Sequence, residues 1–179
     1  MDRRFINLLY FILTVLALIV FLKVINWLPM AFQKETLRRY SSIDEVRSRL
    51  NISDIFIPSY FPQYLSWPPS EILAQTKPFT AVVLEFKHVE KGDTTLIITQ
   101  SSSDAFVAER KIRILQIKER VRYNLKGRDA ILEAGVCNND EPCSRISWNE
   151  GRYFIHVIMR STPHDLIKIV NTMIHKSDS

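Results

Sequence analysis

The sequence predicts an α+β fold: an N-terminal transmembrane helix, then an antiparallel sheet of about six strands packed by a C-terminal helix. Three observations carry that reading. Phe5–Leu22, "FINLLYFILTVLALIVFL", contains no charge. From Phe79 onward apolar and polar residues alternate with period two, the side-chain repeat of a strand. Near the C-terminus, Leu166, Ile167, Ile169, Val170, Met173 and Ile174 fall on one helical face.

The uncharged run is long enough to matter. Its residues as a helix cover about 27 Å, against a bilayer core of about 30 Å. Lys23 can snorkel, and "VINWLPMAF" carries the apolar character on to Leu28 and beyond, with Trp27 at an interfacial position. "MDRR" also fits the basic start of a cleaved signal peptide. The run exceeds a usual signal core, however, and no small-x-small site follows it. The expectation is a signal anchor over residues 1–30, spanning the membrane with Phe5–Leu28, and a charged stalk over 31–41. Cations flank the run on both sides, Arg3 and Arg4 before it and Lys34, Arg38 and Arg39 after it, so charge bias alone leaves the orientation open.

The body is expected over 42–176, with a polar tail at 177–179. Ser42 opens a capping box, "SIDE", with Glu45 three residues on, and Ile43, Val46 and Leu50 follow at helical spacing. "DIFIPSYFPQYLSWPPSEI" holds four prolines and five aromatics. Proline at that density blocks helix and central strand, and the aromatics demand burial, so an extended segment wrapping the core is expected. "FTAVVLEFKHVE" and "TTLIITQS" form a hairpin around Gly92. "KIRILQI" and "KERVRYNL" are two further strands, Gly127 breaks the row, "DAILEAG" is another, and "SRISW" pairs with "RYFIHVIMR" around "NEG". Thr162 caps the last helix, Pro163 takes its first position and Asp165 its first turn, and it runs to about His175.

Chemistry is sparse. The four glycines are scattered at turns, so no phosphate-cradling loop can form. The four histidines, His88, His156, His164 and His175, show no metal-ligand spacing. His88 and Glu90 could mimic an acid–base pair, but a solvated hairpin end is the plainer reading. The chain reads as a non-enzyme without cofactor. Between Arg110 and Arg128 eight cations stand against Glu119 alone. Alternation puts Lys118, Arg120 and Arg122 on one strand face and Ile117, Val121, Tyr123 and Leu125 on the other. With Lys126 and Arg128, these cations are either a solvated sheet face or a contact for anionic headgroups or an acidic partner. Nucleic acid is not expected, since no reading helix or RNA-binding aromatic signature accompanies them.

From about Ile57 the chain resembles the uncharacterised extracytoplasmic domain found at the membrane-anchored C-termini of bacterial anti-sigma-factor and sporulation proteins. That group is itself reminiscent of lipoprotein-carrier and RseB-like half-barrels. The matching pieces are "IPSYFPQYL", "LIITQS", "LKGRDAIL" and "ISWNEGRYFIHV…TPHDLIKIVNTMI". They bring Pro58, Pro62, Gln100, Ser101, Gly127, Trp148, Gly151, Tyr153, Leu166 and Ile174 into correspondence. Two features depart from the family: its glycine after the second proline is missing from "PQYL", and no long sigma-binding region precedes the span. The resemblance therefore implies a half-barrel fold, a body outside the cytoplasmic membrane, and binding or sensing of a membrane or extracytoplasmic protein partner. It implies no anti-sigma role. Lipid or lipoprotein handling, with anionic lipid on the basic face, is the alternative.

An outside body bears on Cys137 and Cys143, the two cysteines of the chain. A zinc site would need a second ligand pair, and a thioredoxin-type pair has two intervening residues. No base for a catalytic thiol stands nearby in sequence. In an oxidising compartment the pair is expected to close "CNNDEPC" as a disulfide.

Overall fold

The computed structural model describes residues 12–19, 21–23, 37–108, 111–138 and 140–174. The chain divides into two compact units, Met1–Leu37 and Arg38–Ser179. In the first, 12–19 and 21–23 are helical, with Leu13, Leu16, Leu18 and Phe21 exposed. Among the described residues no helix is long and apolar enough to cross a membrane, and most of the expected span over Phe5–Leu28 lies outside them.

The second unit is an antiparallel sheet with two short helices. In chain order it runs β1 (Arg38–Tyr40), α1 (Ile43–Leu50), β2 (Glu71–Gln75), β3 (Ala81–Lys87), β4 (Thr94–Ser101), β5 (Ile114–Leu125), β6 (Arg128–Cys137), β7 (Pro142–Glu150), β8 (Tyr153–Met159) and α2 (Pro163–Val170). The strands lie in the order β1-β2-β3-β4-β8-β7-β6-β5, eight rather than about six. Two were not legible as strands. β1 is three residues of the expected stalk, "RRY", and pairs through Arg39↔Leu73. β2 emerges from the proline-rich segment only where Glu71–Gln75 finds β3 as a partner. In the other direction, "ILQI" and "KERVRYNL", expected as parts of separate strands, form the single strand β5, irregular at Ile114/Gln116 and Ile117/Glu119. A bulge absorbs the extra residue without a turn.

The sheet has two buried faces. One carries Leu84, Phe86, Ile98, Ile146, Trp148, Ile155 and Val157, and packs Val46 of α1 and Leu166, Ile169 and Val170 of α2. The proline-rich segment contributes Ile52, Ile55 and Leu65 to the same core. Its route is held by Gln100, whose amide accepts from Phe56 N (3.1 Å) and donates to the Asp54 carbonyl. Burial of its aromatics is incomplete: Tyr60 and Trp67 stand exposed, Trp67 against Phe61 (5.1 Å between centroids). The second face carries Leu73, Val83, Ile97 and Ile158. The link from β4 to β5 supplies buried Phe106, Ala108 and Ile112, with Phe106 against Phe79. Because both sides are covered, every residue of β4 is buried. Strands covered on two faces lose the polar half of the alternation.

The capping box forms with a shift. Ser42 Oγ accepts from Glu45 N (3.1 Å), while the Glu45 carboxylate accepts from Ser41 N and Ser41 Oγ (2.7 and 2.6 Å). The last helix is shorter than its apolar face: it stops at Val170, and Met173 and Ile174 are buried from the turn that follows. Thr162 occupies the N-cap in extended conformation but its hydroxyl makes no capping bond, so Pro163 at the helix start defines that end.

Candidate functional site

The basic strand β5 is the sheet's edge among the described residues, pairing there with β6. Its register decides which side chains share a face, since directly opposed residues lie on the same side. Arg120 opposes Glu133, Arg122 opposes Ile131 and Ile117 opposes Gly135. The bulge between Ile117 and Glu119 thus moves Ile117 to the face of Arg120 and Arg122, where strict alternation puts it opposite them. Val121 and Tyr123 oppose Leu132 and Ala130, on the side of the main core. Yet β5 projects beyond the helices that cover that core. Val121 is 38% exposed, Ile117 47% and Leu115 63%, so the strand is wet on both faces.

Gly135 explains how closely β5 approaches β6 at its bulged end. A Cβ there would collide with the Gln116 carbonyl oxygen and meet Ile114 Cγ2 at 3.0 Å. At the other end Lys126 and Gly127 take φ of 50° and 88°, closing β5 onto β6 by a two-residue turn.

The five cations named from the sequence do not form one patch. Arg128 is held by Glu150, with Nη2 donating at 2.8 Å and Nε also bonded to that carboxylate. Lys126 Nζ reaches the Ile174 carbonyl (3.5 Å). Arg120 is 3.5 Å from Glu133, which Arg145 holds more tightly at 2.6 Å. Lys118 and Arg122 make no ion pair among the described residues. What β5 presents is Lys118, Arg120 and Arg122 interleaved with exposed Leu115, Ile117 and Val121.

Two polar clusters lie elsewhere on the second face. His156 is held by its Nδ1 to Ser147 Oγ (2.8 Å), and its Nε2 is buried without a hydrogen-bond partner among the described residues. Burial, reinforced by Arg145 and opposed by Glu133, lowers its pKa to about 4. At the far end of β2 and β3, Lys111 bonds Glu71 (2.7 Å) and Glu85, a carboxylate buried within the sheet. The Lys111 bond is the largest influence holding Glu71 down, to about 2. Arg160 joins this network by pairing with Asp93 (2.8 Å) and donating to the Lys111 carbonyl. These carboxylates are neutralised by cations at short range, so the cluster fastens the β4–β5 link to the sheet.

His88 is occupied structurally. It stacks on Tyr64, and its Nδ1 accepts from the Glu90 and Lys91 amides (3.2 and 3.4 Å). Glu90 therefore meets His88 through its backbone. Cys137 and Cys143 stand at disulfide separation, Cα to Cα 5.4 Å, across the β6–β7 turn. Among the described residues no group of three His, Cys, Asp or Glu side chains could hold a metal ion. A cleft of about 350 Å³ opens between Arg47 of α1 and Trp67–Pro69. No family model, no curated protein and no solved structure matches the chain.

Proposed function

We propose that the chain is a single-pass protein of the cytoplasmic membrane whose extracytoplasmic sheet domain binds a protein partner, as an accessory subunit or sensor module, without catalysis. The observation that carries the reading is the edge strand β5, which exposes Leu115, Ile117 and Val121 among Lys118, Arg120 and Arg122. Apolar side chains and charge exposed on both faces of one edge strand suit a protein surface of matching relief. The uncharged Phe5–Leu22 supports the anchor, and a cysteine pair at bonding distance suits an oxidising compartment. The half-barrel resemblance supports the same placement.

The test is purification of the full chain from membranes in mild detergent at native expression. A partner retained in fixed stoichiometry through a salt wash is expected; a chain that emerges alone overturns the reading. Anionic lipid is the second reading, favoured by Lys118 and Arg122, which make no ion pair among the described residues. It is weakened by Arg128 and Lys126, which are engaged within the domain. Flotation with phosphatidylglycerol vesicles separates the two: binding to vesicles without protein partner supports lipid.

A further inference from the structure

We propose that β5 receives an acidic, extended segment of the partner as a ninth strand of the sheet; this rests on the partner-binding reading above. The two edges of the sheet are unequal. β1 is three residues long and blunted by Arg38 and Arg39, whereas β5 runs for twelve and, among the described residues, has no strand along its outer side. An edge strand of that length presents a row of backbone donors and acceptors, and proteins usually shorten or cover such rows. Both irregularities of β5 lie in its first half. Residues Glu119 to Leu125 pair with Ala134 to Arg128 without interruption, a regular stretch as long as an ordinary strand.

The side chains specify the guest. Arg120 and Arg122 lie on one face, Val121 and Tyr123 on the other. A guest strand must alternate in the same way, with Asp or Glu opposite the arginines and apolar residues opposite Val121 and Tyr123. The same geometry argues against a second copy. Opposed residues share a face, so antiparallel self-pairing centred on Arg120, Val121 or Arg122 sets Arg120 against Arg122, or either against itself, and centring on Tyr123 sets Arg120 against Lys126. Like charges directly opposed are unfavourable, and Glu119, on the opposite face, cannot relieve them.

The probe is a synthetic eight-residue peptide alternating Glu and Val, titrated against the full chain in detergent by fluorescence anisotropy. Saturable binding is expected, with no binding of the Lys–Val counterpart and at least about tenfold weakening in the R120E/R122E double variant, each tenfold being one decade of Kd. Two further peptides carry N-methyl groups, one on the odd amides and one on the even. A strand donates to the edge through alternate amides, so only one of the two should lose binding. Equal binding of both, or no binding of the parent peptide, overturns the proposal. A dimer in sedimentation that R120E/R122E abolishes overturns it in favour of self-pairing. If the peptide fails but the co-purified partner survives R120E/R122E, the edge is wrong and partner binding stands; if no partner is retained by the unaltered chain, the underlying reading falls.

Discussion

His156 carries the sharpest consequence at the scale of single residues. Its ring lies between β7 and β4 neighbours, with Ser147 on Nδ1, Thr99 opposite it on β4, and Arg145 and Glu133 nearby. The folded protein holds this histidine at about 4, below its ordinary value near 6.5, so folding favours the neutral ring. Its contribution is complete above about pH 6.5 and drains as pH falls toward 4, because the unfolded chain takes up the proton first. The loss amounts to no more than about 3 kcal/mol. Thermal melts between pH 6.5 and 5 should show the midpoint falling, and H156N should flatten that slope. Below about pH 4.5 the loss of charge on Glu71, whose folded pKa is about 2, adds a second decline that both proteins share. None of this was legible in sequence, where His156 is one residue of an alternating strand. Its burial arises in the folded sheet, where β4 and β7 flank it.

Among the elements, the strands show most clearly what a one-dimensional pattern records. The β7–β8 hairpin was readable from "NEG", since Gly151 takes a φ of 57° in the turn. β1 was not, because "RRY" carries no strand signal of its own and is ordered by three backbone pairings with β2. β5 illustrates a subtler failure. Its alternation is real, but the irregularity at Ile117/Glu119 shifts it by one residue and the one at Ile114/Gln116 shifts it back, so Gln116 and Ile117 face opposite to a strict period-two reading. The cysteine pair belongs to this scale too, closing a loop six residues apart in sequence between β6 and β7. So small a loop limits the entropy it removes from the unfolded chain, to about 2 kcal/mol. The C137S/C143S variant should fold and melt at a lower temperature by that amount; failure to fold at all would give the bridge a larger role.

For the whole molecule, the proposed anchor raises the question of which side of the membrane would hold the body. The anchor reading predicts that protease added to intact spheroplasts digests Arg38–Ser179 and leaves a small membrane-bound remnant. The body protected until lysis would place it in the cytoplasm and remove the rationale for a disulfide. Layering also belongs to this scale. A sheet with its core on one face would expose the other, and here the segment between β4 and β5 lays Phe106, Ala108 and Ile112 across the second face. The strand order puts β5 at one edge of the sheet among the described residues, so the candidate site follows from that order.

By itself the sequence determined the properties that depend on local spacing: the uncharged N-terminal run, the α+β class, the hairpin turns at glycine, the Ser42 cap and the apolar face of α2. These follow from steric and capping rules that act over a few residues. Tertiary structure alone decided that β1 and β2 join the sheet, that its central strands are buried twice, that His156 is neutralised and that the cations of "KERVRYNLKGR" separate into those engaged and those without an ion pair among the described residues. Each depends on what packs or pairs from far along the chain. A charge on a strand carries no record of whether Glu150, the Ile174 carbonyl or solvent will meet it.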